Sequence, residues 1–199
     1  LYYCLDKGFP FVEDLFLFWI MKNKNSYKNS YNFAIIGLGK VGTAIGHLLK
    51  KAGHKIVAVS DKSPAALKTA LPYTGGEAFS DPKKAVIGAD IILITTPDDI
   101  IADACNEIAS PELIEGKFVF HMSGAGSLDL LYAAKSAGAS VASIHPLQSF
   151  SSIDTAINNI PGSIFGITAD KKVQKKAGII VRDLNGTPIF ISPAQKPLY

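Results

Sequence analysis

The chain has 199 residues, 48% of them hydrophobic and 19% charged, with a formal net charge of +3. That length and composition suit a compact domain with a sizeable core and part of a second one. The lysines are dispersed and no basic stripe carries interleaved aromatics, which argues against nucleic acid, and no apolar run reaches the ~20 residues of a spanning helix, which argues against a membrane.

The cysteines, Cys4 and Cys105, make neither a disulfide framework nor a zinc spacing, so a reducing cytoplasm is the expected compartment. Residues 1–31 read as an N-terminal extension. LYYCLDKGFPFVEDLFLFWI is aromatic-rich, and Met21 opens a polar lead-in. One reading starts translation at Met21. The other makes Leu15–Ile20 a short anchor or signal, but that core is too short and follows acidic residues.

Strands and helices then alternate. Phe33–Gly37 reads as a buried strand leading through G-x-G-x-x-G (Gly37, Gly39, Gly42) into a helix over Val41–Ala52. The helix has its own signal: Val41, Ala44, Ile45, Leu48, Leu49 and Ala52 make one apolar stripe. Strand–turn–helix is the context that a dinucleotide-binding fingerprint needs. Gly37 allows the tight turn, Gly39 admits a pyrophosphate and Gly42 lets helix and strand pack closely. A strand Lys55–Ser60 follows, then a helix capped by Ser63 with Pro64 in its first turn. A short strand near Glu77–Phe79 precedes a helix start at Asp81-Pro82. Asp90–Thr95 is apolar throughout, as a central parallel strand should be.

Thr96-Pro97-Asp98-Asp99 opens a helix with the stripe Ile100, Ile101, Ala104, Cys105 and Ile108. Strand Lys117–Phe120, a loop at Gly124–Gly126, helix Leu128–Ala137 and strand Ala139–Ile144 come next. Beyond Phe150 the pattern gives a strand Ser163–Thr168, a helix Asp170–Leu184 and a strand Pro188–Ile191. The alternation predicts an α/β fold, a doubly wound parallel sheet of Rossmann-like type. Its domain covers 32–150, and 151–199 begins a further, truncated domain.

Ligands of such sheets bind beyond the carboxyl ends of the strands. Polar and small residues gather there: Gly37-Leu38-Gly39-Lys40-Val41-Gly42, Ser60-Asp61-Lys62, Thr95-Thr96, His121 to Ser123, and His145. The glycine turn is the candidate pyrophosphate site. Asp61 suits ribose hydroxyls and NAD, whereas Lys62 with Ser63 suits a 2′-phosphate and NADP; the cofactor is therefore NAD(P). Thr95 and Thr96 are candidates for the nicotinamide side, with helix capping the other role for Thr96. Ser123 is a candidate donor to a substrate carbonyl or carboxylate. Its neighbour Ser127 reads equally as a helix cap. His145, held extended by Pro146, is a candidate acid or base. His47 and His54 fall on a helix surface and in a turn. No His–Glu–His spacing points to a metal, and no G-x-S-x-G elbow to a hydrolase.

GLGKVGTAIGHLLKKAGH, TTPDDII, HMSGAGSLDLL and SIHPLQSF together resemble an uncharacterised bacterial family. Its members pair a Rossmann-like NAD(P)-binding domain with a C-terminal domain of unknown function and are often labelled oxidoreductases. More distantly the chain is similar to pyrroline-5-carboxylate reductase, prephenate dehydrogenase, 6-phosphogluconate dehydrogenase and deazaflavin-dependent NADP oxidoreductase. The resemblance implies substrate-facing roles for Ser123 and His145, and the nicotinamide is expected across the strand ends near Thr95 and His121. It also implies a helical second domain beginning near Lys196, whose lysine would assist hydride transfer, and homodimerisation of the full-length protein through that domain. The expected function is an NAD(P)-dependent reductase or dehydrogenase of a small carbonyl, imine or acid. A non-catalytic dinucleotide sensor is the alternative. A methyltransferase fits less well, because Val41 stands where its G-x-G-x-G loop needs a glycine.

Overall fold

The computed structural model describes residues 30–196. The extension before residue 30, with Met21 and Leu15–Ile20, lies outside the described residues.

Six strands form a parallel array: β1 (Asn32–Ile36), β2 (Lys55–Ser60), β3 (Glu77–Phe79), β4 (Ile91–Ile94), β5 (Phe118–His121) and β6 (Ser140–Pro146). Their order is β3-β2-β1-β4-β5-β6. The order reverses between β1 and β4, so the chain leaves the sheet in opposite directions from these neighbours. The crevice this opens is where doubly wound sheets take ligands.

Both faces of the sheet are covered. Phe33 and Ile35 pack with Ile45 and Leu49 of helix α1 (Lys40–Lys51), whereas Ala34 and Ile36 pack on the opposite side. Alternation along β1 therefore puts apolar side chains into two cores, which is why the strand reads as one unbroken hydrophobic run. Helix α2 (Pro64–Thr74) lies on the α1 side, capped by Ser63 as expected. On the other side, α3 (Pro82–Ala85) is capped by Asp81, and α4 (Ile101–Ile108) buries Ile101, Ala104, Cys105 and Ile108. Ile100, assigned to that stripe from sequence, is instead 38% exposed. Residues Asp98–Ile100 form a 3-10 turn, so Ile100 is out of phase with the α-helix that follows.

A short helix α5 (Pro111–Ile114) was not expected. The helix over Leu128–Ala137 starts as a 3-10 turn, Leu128–Leu131, and becomes α6 only over Tyr132–Ser136. The sheet also continues beyond β6. Helix α7 (Ile153–Asn159) leads to β7 (Ile164–Ala169), which pairs antiparallel with β6. Helix α8 (Lys171–Asp183) then leads to β8 (Thr187–Phe190), parallel to β7. The parallel array expected from the alternation holds over β1–β6, and β7 and β8 extend it in the opposite direction. The connection from β6 ends at the edge it left: the Leu147 amide donates to the Ile164 carbonyl, and Phe165 pairs with Pro146 at the carboxyl edge. No helix among the described residues is long and apolar enough to cross a membrane.

Candidate functional site

The glycine turn sits where β1 meets the β4 edge. Gly37 has φ +93°, and a Cβ there would lie 2.7 Å from the Thr96 amide nitrogen. A Cβ on Gly42 would collide with the Gly37 carbonyl and the Thr95 hydroxyl. These two glycines are required by the fold itself. Gly39 is different. Its φ of −71° and ψ of −167° suit any residue, and a Cβ there would meet nothing within 4 Å. Neither strain nor packing asks for a glycine there; what its missing side chain leaves open, besides a favourable N-cap, is close approach of a ligand to the backbone. Gly39 is also the N-cap of α1 with no side-chain cap and no acid in the first turn, whereas Ser63, Asp81 and Ser152 cap their helices. The amino end of α1 is left with its positive dipole open to the cleft.

That cleft has a volume of about 690 Å³. Gly37, Leu38, Gly39, Lys40 and Val41 line it from the turn, Ser60, Asp61 and Lys62 from the end of β2, and Thr95, Thr96 and Pro97 from the end of β4. The Thr95 hydroxyl donates to the Gly37 carbonyl at 2.6 Å, pinning the turn to β4. Thr96 does not cap the following helix; its buried hydroxyl has no partner among the described residues. Asp61 accepts from the Leu38 amide at 2.7 Å and from the Ser63 amide at 2.8 Å. One carboxylate thus ties the β2 end to the glycine turn, with lone pairs left for hydroxyl donors. Lys62 donates to Glu107 at 2.7 Å. Phe150 enters the cleft wall from the loop after β6.

A second polar group lies beyond β5 and β6, joined to the cleft through Pro97-Asp98. Register puts Ile94, His121 and Ser143 in one row across the sheet. His121 is fully buried, and its Nδ1 accepts from the Ser123 amide at 3.1 Å. The neutral ring therefore carries its proton on Nε2. Burial, and then the Lys196 charge, lower its pKa to about 4. The Ser123 hydroxyl donates to Asp98 at 2.6 Å and accepts from the Gly126 amide at 2.8 Å. In this arrangement the single hydroxyl proton goes to Asp98, whereas the sequence reading gave Ser123 as a donor to a substrate carbonyl or carboxylate. Ser127 caps the 3-10 turn through the Asp129 amide, as one reading had it.

His145 is half-buried in β6 against Gly124, where a Cβ would come within 2.7 Å of its Cε1. Burial and the Lys196 charge hold its pKa below the ordinary histidine value, with Asp98 opposing. Lys196 is 4% exposed and donates to the Ser123 carbonyl at 3.1 Å and the Ser143 hydroxyl at 2.6 Å. Burial lowers its own pKa, and Asp98 again opposes. His121, Ser123, His145 and Lys196, spread over the sequence, thus meet in one cluster. A neutral imidazole beside a carboxylate and an ammonium is a group that can hold or release a proton near neutral pH.

Sequence reasoning missed Asp98, Ser143, Glu107 and Phe150. Asp98 had been read only as a helix-start acid. Its signal was the Thr-Thr-Pro-Asp-Asp run, which directs a carboxylate past the end of a central strand. Ser143 and Glu107 carried none. His54 follows the turn at Ala52-Gly53. It is buried and pairs with Asp183 at 3.1 Å, far from the cleft.

Solved structures share this architecture. A Bacteroides fragilis protein assigned as an NADP oxidoreductase superposes with a TM-score of 0.74 at 16% identity, over 85% of this chain and 63% of its own. The prephenate dehydrogenase of A. aeolicus, in complex with hydroxyphenyl propionate and NAD+, gives 0.72 at 18% identity over 86% and 63%. A pyrroline-5-carboxylate reductase from Coxiella burnetii gives 0.67 at 18% identity over 84% and 62%. The chain therefore spans less than two thirds of the length of these proteins, and the likeness is one of fold. The turn, the reversal of strand order and the cleft above them agree with the family model that matches residues 21–146, and the chain belongs to the Rossmann-like domain family.

Proposed function

We propose that this chain is the nicotinamide-dinucleotide-binding part of an oxidoreductase that reduces or oxidises a small carbonyl, imine or acid. The observation that carries the reading is Gly39: neither backbone strain nor packing explains a glycine there, whereas a pyrophosphate against the α1 amino end does. The open cradle and uncapped helix fit the group, so the residues have assignable tasks. Gly37–Val41 would hold the pyrophosphate, Asp61 the ribose hydroxyls, and Thr95 and Thr96 the nicotinamide side. When bound, the cofactor supplies hydride transfer. His145 takes or gives the substrate proton, since its lowered pKa leaves it neutral at pH 7. Ser123 orders the Gly124–Gly126 loop while Asp98 holds its proton. Lys196 fixes the Ser123 carbonyl and adds a positive charge behind His145.

The relatives named above as reductases and dehydrogenases are consistent with this class. The reading extends to a full-length protein that is cytoplasmic, pairs through a helical domain and uses neither nucleic acid nor membrane as a partner.

The test is a fluorescence titration of wild type and Gly39→Val with NADH and NADPH, with circular dichroism as the fold control. Wild type should bind at least one dinucleotide, and the variant should fold normally yet bind neither. Equal affinity in both proteins would reject the site.

A further inference from the structure

We propose that Glu107 is a selectivity residue, which engages Lys62 across the mouth of the cleft and so favours NAD(H) over NADP(H). The inference rests on the dinucleotide reading of the cleft and adds a residue from α4 to it.

Three carboxylate or ammonium groups meet at this end. Asp61 is held in place by the Leu38 and Ser63 amides, so its charge cannot swing aside. A fixed carboxylate there accepts from ribose hydroxyls and repels a phosphate. Lys62 is the adjacent cation, and a free lysine there would attract a 2′-phosphate. It is not free. Its Nζ lies 2.7 Å from Glu107 Oε1, and both residues line the cleft. Lys62 comes from the loop after β2 and Glu107 from α4, so the pair bridges two walls. The hydrogen bond to Glu107, and then its charge, raise the Lys62 pKa. Lys40, the other lysine of the lining, stands in the first turn of α1 at the pyrophosphate end.

A 2′-phosphate would therefore face two carboxylates and a lysine already engaged. A 2′-hydroxyl meets no such opposition. The pair itself is exposed, with side chains 77% and 36% accessible, so it contributes little to stability and its loss leaves the fold intact.

The test titrates the full chain with NADH and NADPH, following nicotinamide fluorescence. It compares wild type, Glu107→Gln, and Glu107→Gln combined with Lys62→Met. Wild type should prefer NADH. Glu107→Gln should tighten NADPH about three- to tenfold and leave NADH within about twofold. Adding Lys62→Met should abolish the gain. An unchanged NADH-to-NADPH ratio in Glu107→Gln overturns the proposal, as does a wild-type preference for NADPH or a gain that survives Lys62→Met. Binding of neither dinucleotide by wild type fails the cofactor reading itself, a result distinct from an unchanged ratio.

Discussion

The Ser123 hydroxyl lies 2.6 Å from an Asp98 carboxylate oxygen, and its one proton points there. The Ser123 Oγ in turn accepts from the Gly126 amide at 2.8 Å. Ser123 is thereby a clamp between the β4 end and the Gly124–Gly126 loop. Ser123→Ala removes both bonds and leaves a part-buried amide unpaired. The expected loss is about 1–2 kcal/mol in urea denaturation. Asp98→Asn keeps an acceptor for the hydroxyl and should lose less. Equal stability of Ser123→Ala and wild type would show that the loop does not need the clamp.

His145 reports the charges around it. Burial lowers its pKa first, the Lys196 ammonium lowers it further, and Asp98 opposes. Lys196→Met removes the repelling cation, so the pKa should rise. Asp98→Asn removes the attracting anion, so it should fall. Proton NMR titration of the ring in the intact chain reads both shifts. Opposite signs in the two variants are the required outcome; shifts of one sign would place one of these charges elsewhere. As a base, His145 is competent above its lowered pKa and loses that capacity as pH falls through it.

His121 links the cluster to stability. Its folded pKa of about 4 lies below the ordinary value of 6.5. The unfolded chain then binds the extra proton first. The stability tied to the neutral ring is present above pH 6.5 and is lost as pH falls toward 4, by about 3 kcal/mol in all. His121→Asn retains an acceptor for the Ser123 amide but does not titrate. Between pH 7 and 4 the variant should lose less stability than wild type by about that amount. Parallel curves for the two proteins would mean that His121 protonates without cost.

The central sheet and the glycine turn were legible because local pattern and tertiary role coincide. Ile91–Ile94 are apolar since both faces are covered, and Ser63, Asp81 and their prolines mark helix starts by chemistry that acts within a few residues. Helix α7 had a usable signal in Ser152 with Ile153, Ala156, Ile157 and Ile160, but it covers only two turns. The reversal of β7 was not legible. Strand direction depends on where a connection ends, which no local residue encodes. At the site, Ser123 and His145 stood out by position, yet the direction of the Ser123 proton depends on Asp98, 25 residues away. Nor does sequence reveal that Lys62 is occupied, because its partner comes from another helix.

The three glycines of the turn should separate fold from ligand. In Gly42→Ala the new methyl meets the Gly37 carbonyl and the Thr95 side chain, and α1 must move away from β1. Overpacking of that kind costs about 1–3 kcal/mol. Gly37→Ala adds a strained positive φ to a 2.7 Å approach to the Thr96 amide and should be at least as harmful. Gly39→Ala faces open space in an allowed conformation and loses only the N-cap advantage of glycine over alanine, so it should cost about 1 kcal/mol or less, below either of the other two. Dinucleotide affinity should nevertheless fall in Gly39→Ala, because the methyl occupies the approach to the α1 amino end. A stable Gly39→Ala with undiminished affinity would mean that the pyrophosphate rests elsewhere, whereas one destabilised as much as Gly42→Ala would mean that the turn needs this glycine for its own backbone.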